Sequence, residues 1–134
     1  MKITRIFADE HGESHFADAE IPLASSTLFP QLPPFQFARL SAPNGIKLFV
    51  VPAELSVFDL HTAPERQLAV SLNGTVEYET SDGHIRRFAA GDIVLVEDIT
   101  GRGHITRFTD GARVSFTSRC LMIGRRLNGM MRPD

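Results

Sequence analysis

The sequence is poor in several things, and each shortage excludes something. One cysteine, Cys120, rules out a disulfide within the chain and a thiolate cluster around zinc. Neither sign of charge dominates: 14 Lys and Arg stand against 16 Asp and Glu, a formal net charge of −2. That balance leaves no basic footprint for nucleic acid or an anionic membrane surface. No apolar run approaches the ~20 residues of a membrane-spanning helix. The first fifteen residues turn charged at once and have no apolar centre of a secretion signal. The expected setting is the cytoplasm, with neither nucleic acid nor membrane as partner. Helical patterning is missing too, since no apolar stripe at helical spacing runs beyond one or two turns.

What is present reads as strand. The 134 residues are the size of one domain, and 43% hydrophobic against 22% charged is enough to bury a core. Ten phenylalanines are spread along the whole length. Short apolar runs alternate with polar residues, and Gly, Pro and Asn interrupt them at the spacing of an all-β sandwich or barrel. Strands are expected at 2–8, 15–21, 35–40, 45–52, 57–61, 66–72, 75–80, 84–88, 93–96, 104–108 and 112–123. The stretch 22–34 holds Pro22, Pro30, Pro33 and Pro34, and is expected to wrap irregularly over the surface. Asn73-Gly74 between two strand runs is the strongest hairpin signal. Ser81-Asp82-Gly83 marks a second tight turn. Consecutive antiparallel hairpins suggest a closed double sheet, which leaves no open edge.

The segment from His61 to His104 resembles the cupin family, which carries two motifs. The first runs His, one residue, His, three or four residues, Glu, six residues, Gly. Here His61 matches the first histidine, Ala63 stands at the second, Gln67 at the glutamate and Gly74 at the glycine. The second motif starts at a glycine and reaches a histidine. Gly91 and His104 match those two, with a loop two residues longer than usual. Glu97 replaces its proline and Phe108 its asparagine. Several further stretches are similar to small stand-alone bacterial cupins without an assigned reaction: Gly12 to Phe16, Arg66-Gln67, Thr80 to Gly83 and Glu97 to His104. The resemblance implies an all-β, cupin-type double-stranded β-helix, a jelly-roll barrel, spanning about residues 35–123 of a single 1–134 domain. Residues 1–34 would add N-terminal strands to a sheet edge. A homodimer is the expected assembly.

Side chains two apart on a strand share a face. If His61 points inward, Asp59 does too. Gln67, Ala69 and Ser71 share a face, the two small residues leaving room beneath the glutamine. His104 and Thr106 would join from a third strand. The resemblance places both motif histidines at one site, so His61, Gln67, Ala69, Ser71 and His104 are the candidate ligand-binding set. Two imidazoles suit zinc, iron, manganese or nickel. A metal set of His61, Gln67 and His104 brings no negative charge, however, so it should bind more weakly than the family's usual set, and Asp59, Glu65 or Asp98 could add a carboxylate. A small-molecule-binding protein is the first functional reading. A metal-dependent enzyme of the dioxygenase, isomerase or lyase kind, acting on a small oxygenated substrate, is the alternative.

His104 is also a candidate general acid or base if Glu97, Asp98 or Asp59 fixes its tautomer. His15 has a remote route to a site on a neighbouring strand, and His84 reads as exposed. Arg66 precedes Gln67 and should face outward onto an acid. Arg102, between Gly101 and Gly103, reads as a solvated loop charge. Cys120 reads as a small core residue rather than a nucleophile. Arg125, Arg126 and Arg132 are too few for a nucleic-acid surface.

Overall fold

The computed structural model describes residues 1–26, 30–37 and 45–119. Those residues form twelve strands and no helix: β1 (Lys2–Ala8), β2 (Ser14–Glu20), β3 (Ala24–Ser26), β4 (Phe35–Phe37), β5 (Ile46–Val50), β6 (Val57–His61), β7 (Gln67–Ser71), β8 (Thr75–Thr80), β9 (Ile85–Ala89), β10 (Ile93–Val96), β11 (His104–Thr109) and β12 (Val114–Arg119). No helix among them is long and apolar enough to cross a membrane. The strand readings beyond Phe37 and Arg119, together with Cys120, Arg125, Arg126 and Arg132, lie outside the described residues.

Two principal sheets divide the strands. A six-stranded sheet runs β2-β1-β10-β7-β12-β5, and a four-stranded sheet runs β6-β11-β8-β9. All pairings are antiparallel except the parallel one of β1 with β10. From β5 onward the chain changes sheet at almost every turn. The N-terminal pair β1 and β2 extends the six-stranded sheet past β10. The segment 22–34 is less irregular than its prolines suggest. Ala24–Ser26 forms a short strand that pairs with Phe35–Phe37 beyond the prolines.

Alternation along the strands produces two apolar clusters, one on each face of the six-stranded sheet. Ile3, Ala19, Ile21, Leu68 and Leu95 gather on one side. On the other, Ile6, Ala69, Val94 and Val96 meet Phe88 and Tyr78 of the opposite sheet. In β10 the switch is residue by residue: Leu95 goes to the first cluster, Val94 and Val96 to the second. Side-chain period two in a sheet covered on both faces leaves an unbroken Ile-Val-Leu-Val run.

The Asn73-Gly74 hairpin is not formed. β7 pairs with β10 and β12, β8 with β11 and β9, so this turn carries the chain from one sheet to the other. Gly74 has positive φ (64°) but Asn73 does not, so the turn is not the one that twists two strands into a ribbon. Instead the Asn73 side-chain oxygen accepts from the backbone N–H of Arg113 (2.9 Å) and Val114 (3.0 Å), which pins the corner to the start of β12. A Cβ at position 74 would collide with the Ala112 backbone. A hairpin does form at β8–β9, closed at Ser81-Asp82-Gly83 by Thr80 N–H donating to the His84 carbonyl at 3.0 Å.

Candidate functional site

The inward faces of the two sheets enclose a cavity of 330 Å³. That lies in the lower part of the range of small-molecule sites, roughly 300–1,000 Å³. His61, Gln67, Ala69, Ser71 and His104 all line it, together with Thr106. β7 contributes Gln67, Ala69 and Ser71 by strict alternation. β11 contributes His104 and Thr106 by the same rule. Most of the remaining wall is aliphatic or aromatic.

Asp59 does not line the cavity. Opposite β11, His104 pairs with His61 but Thr106 pairs with Phe58, so three residues of β6 span two of β11. The extra residue is a β-bulge, and it resets the alternation. Phe58 takes the inward place, its ring stacked on His61 with centroids 3.6 Å apart, and Asp59 is exposed. The Asp59 carbonyl oxygen, rather than its carboxylate, accepts a hydrogen bond from His61 Nδ1 at 2.7 Å. Glu65 does not reach the cavity either. It pairs with Lys47 at 2.9 Å and with Arg119 at 3.3 Å.

His104 is 3% exposed and Asp98 is fully buried. Asp98 Oδ2 accepts from His104 Nδ1 at 2.6 Å, so of the three acids weighed for fixing this imidazole it is Asp98 that does so. Glu97 faces away and takes Arg5 at 2.9 Å and Arg66 at 3.0 Å, which is the outward acid expected for Arg66. The loop bearing Asp98 is fastened to the N-terminal strands. Glu97 N–H donates to the Ile6 carbonyl (2.8 Å), Arg102 N–H to the Gly12 carbonyl (2.8 Å), and Ser14 Oγ to the Gly103 carbonyl (2.7 Å). Gly103 itself lies against the His61 carbonyl, where a Cβ would have no room. The Arg102 side chain is exposed and meets Glu13 at 3.3 Å.

The His61 and His104 rings lie 4.6 Å apart, and Tyr78 meets His104 edge-on at 5.5 Å. Burial pushes the His61 pKa below the ordinary histidine value, and the neighbouring His104 adds to that. Burial raises the Tyr78 phenol to about 12, helped by the Asp98 charge, so it stays a proton-bearing donor. Among the described residues Gln67 Oε1, Thr117 Oγ1 and Asp98 Oδ1 are buried without a hydrogen-bond partner. Sequence reading passed over Tyr78, although alternation with Val76 on β8 signals it. Phe58 had no signal, because it enters only through the bulge. His15 is distant from this site: its ring bridges Asp9 and Asp82, at 2.7 Å to each. His84 is exposed beside Asp82.

In comparisons with protein families and with curated proteins, no family model and no curated protein matches the chain.

Proposed function

We propose that this chain is a jelly-roll barrel of the cupin kind that binds a small organic molecule between its sheets. The ligand's polar end would meet His61, Gln67 and His104, and its body would lie over Ala69 and Ser71. Strand order supports the fold reading. Numbering β5 to β12 as one to eight, the larger sheet contributes 1-8-3-6 reversed from its inner end and the smaller 2-7-4-5. That is the order of two interleaved Greek keys. The observation that carries the functional reading is the pair of histidines. Each is held by its Nδ1, to the Asp59 carbonyl and the Asp98 carboxylate, and each lines a largely apolar cavity. A barrel core that only needed filling would place aliphatic side chains there. Convergent polar groups with fixed orientation in an apolar cavity are the mark of a ligand site.

A resident metal fits this donor set poorly. Nδ1 anchoring of both imidazoles is what metal ligands have. The third group, however, is the neutral Gln67 amide, and Asp98 is already the hydrogen-bond acceptor of His104. Among the described residues no three of His, Cys, Asp and Glu converge on one point. The metal-enzyme alternative is accordingly the weaker reading.

The test is a melting-temperature screen of small aromatic and aliphatic molecules against wild type and an Ala69→Phe variant, whose new ring fills the cavity. A true ligand raises the wild-type melting temperature by mass action, equivalent to about 2.7 kcal/mol at a hundredfold excess over Kd. It leaves the variant unmoved. Shifts of equal size in both would refute the cavity as the site. A second copy of the chain belongs to the same proposal: the apolar strands β5 and β6 at the open side of the sandwich are the surface it would cover.

A further inference from the structure

The direction of each hydrogen bond at the polar end of the cavity constrains what the ligand carries. A carbonyl oxygen only accepts, so His61 Nδ1 bears the proton in its contact with Asp59. The Asp98 carboxylate accepts from His104 Nδ1 in the same way. In the neutral rings both Nε2 atoms are therefore bare lone pairs, and no partner meets either among the described residues. Gln67 Oε1, from the facing sheet, is a third acceptor left unsatisfied in a buried position.

Charge points the same way. No Lys or Arg lines the cavity among the described residues. Arg66 turns outward to Glu97, while Lys47 and Arg119 turn to Glu65. The full charge nearest the two imidazoles is the buried Asp98 carboxylate, itself short of one hydrogen bond. The walls carry the rings of Phe58, Tyr78 and Phe88, whose faces favour a cation. A carboxylate or phosphate head would set lone pair against lone pair with no cation to receive it.

Resting on the cavity being a small-molecule site, we infer that its ligand is a small organic amine. Its apolar body lies between the sheets, and its ammonium donates to His61 Nε2, His104 Nε2 and Gln67 Oε1. An ammonium carries N–H donors and no acceptor, which complements that set.

Three probes with one body and different heads test this: benzylamine, benzyl alcohol and benzoate, titrated calorimetrically into the full chain at about pH 8, where benzylamine carries its ammonium and benzoate its carboxylate. Benzylamine is expected to bind at least about tenfold tighter than benzyl alcohol, with benzoate weakest. Gln67→Leu, which keeps the shape, and His104→Ala are expected to remove most of that preference, bringing the affinity of benzylamine close to that of benzyl alcohol. The isosteric variant covers the case in which His104→Ala fails to fold. Equal affinities, or benzoate ahead, overturn the amine inference while benzyl alcohol binding, lost in Ala69→Phe, still upholds the cavity. Stoichiometric binding of zinc alone, lost in His61→Ala/His104→Ala, also overturns it, since the lone pairs would then serve a metal. Binding by none of the three probes overturns both readings together.

Discussion

At the scale of single residues, Asp98 sets the character of the site. A fully buried carboxylate is costly unless its oxygens are engaged, and here one oxygen holds His104 while the other has no partner among the described residues. Asp98→Ala leaves the buried Nδ1–H without an acceptor and is expected to cost about 1–3 kcal/mol in urea unfolding. Asp98→Asn, whose amide oxygen still accepts, should cost less. Nitrogen-15 NMR of the ring checks the mechanism directly: the alanine variant moves the His104 proton toward Nε2, the asparagine variant leaves it on Nδ1. An unchanged tautomer in the alanine variant would remove Asp98 from its positioning role. His61 supplies a pH prediction of definite sign. Burial lowers its pKa, so folding favours the neutral ring. Its contribution to stability is present above about pH 6.5 and declines as pH falls through the lowered folded value. A proton NMR titration of the ring should show a midpoint below that of a free histidine, and a midpoint above it would contradict the buried placement.

At the scale of elements, the joints decide the geometry. His15 on β2 clasps the β1–β2 turn, through Asp9, to the β8–β9 turn, through Asp82. The hydrogen bond with Asp9 raises the His15 pKa foremost, with Asp82 adding to it, while its own hydrogen bonds hold Asp82 well below the usual carboxylate range. The raised His15 pKa makes its contribution full below about pH 6.5 and lost as pH rises through the folded value; the carboxylate contribution is lost in acid, below about pH 4. His15→Gln should therefore lower the melting temperature more at pH ~5 than at pH ~8. An equal loss at both would show that the clasp is not ionic. Gly103 and Gly83 form a second comparison. Both have positive φ, 78° and 89°. A Cβ at 103 runs into the His61 carbonyl, whereas at 83 it meets open space. Gly83→Ala should cost about 1–2 kcal/mol of backbone strain, and Gly103→Ala clearly more, with a shift of the His61 ring resonances that Gly83→Ala lacks.

These joints also mark where the sequence stops being readable. Alternation put Gln67, Ala69 and Ser71 on one face of β7 and His104 with Thr106 on one face of β11, and it was the resemblance of the two motifs that turned those faces inward. A period of two tells which face a residue occupies, but not which strand lies alongside. Asn73-Gly74 therefore looked like a hairpin when its side chain serves a sheet-to-sheet corner. The β6 bulge inserts one residue without a distinctive residue type, so Phe58 and Asp59 exchanged places. Asp98 reaches His104 only because its loop folds back onto Ile6, Gly12 and Ser14, contacts between residues distant in the chain.

At the scale of the molecule, the two sides of the sandwich differ in how they meet water. The outer face of the four-stranded sheet is guarded by ion pairs, with Arg107 reaching Glu77 at 3.1 Å and Glu79 at 2.6 Å, and Arg87 reaching Glu77 at 3.2 Å. On the edge strand β5 the ion pair among the described residues is that of Lys47 with Glu65, which lies on the other face of the strand from Ile46, Leu48 and Val50. The strand pairs with β12 on one side, and Ile46, Leu48 and Val50 share one face at 69%, 67% and 73% exposure. β6, the neighbouring edge of the other sheet, adds Val57 and Leu60, also exposed. An open edge carrying aliphatic side chains on its surface favours pairing with another strand. Covering each of these residues in a dimer would contribute about 1.5–3 kcal/mol. Wild type is expected to sediment as a dimer at micromolar concentration. Leu48→Lys/Val50→Lys should sediment as a monomer, since a lysine pair facing its symmetry mate opposes the same contact by charge and by lost burial. Both substituted positions are already exposed in the single chain, so monomer stability should change by about 0.5 kcal/mol or less per site. A wild type that remains monomeric across that concentration range would show that these strands face water in solution.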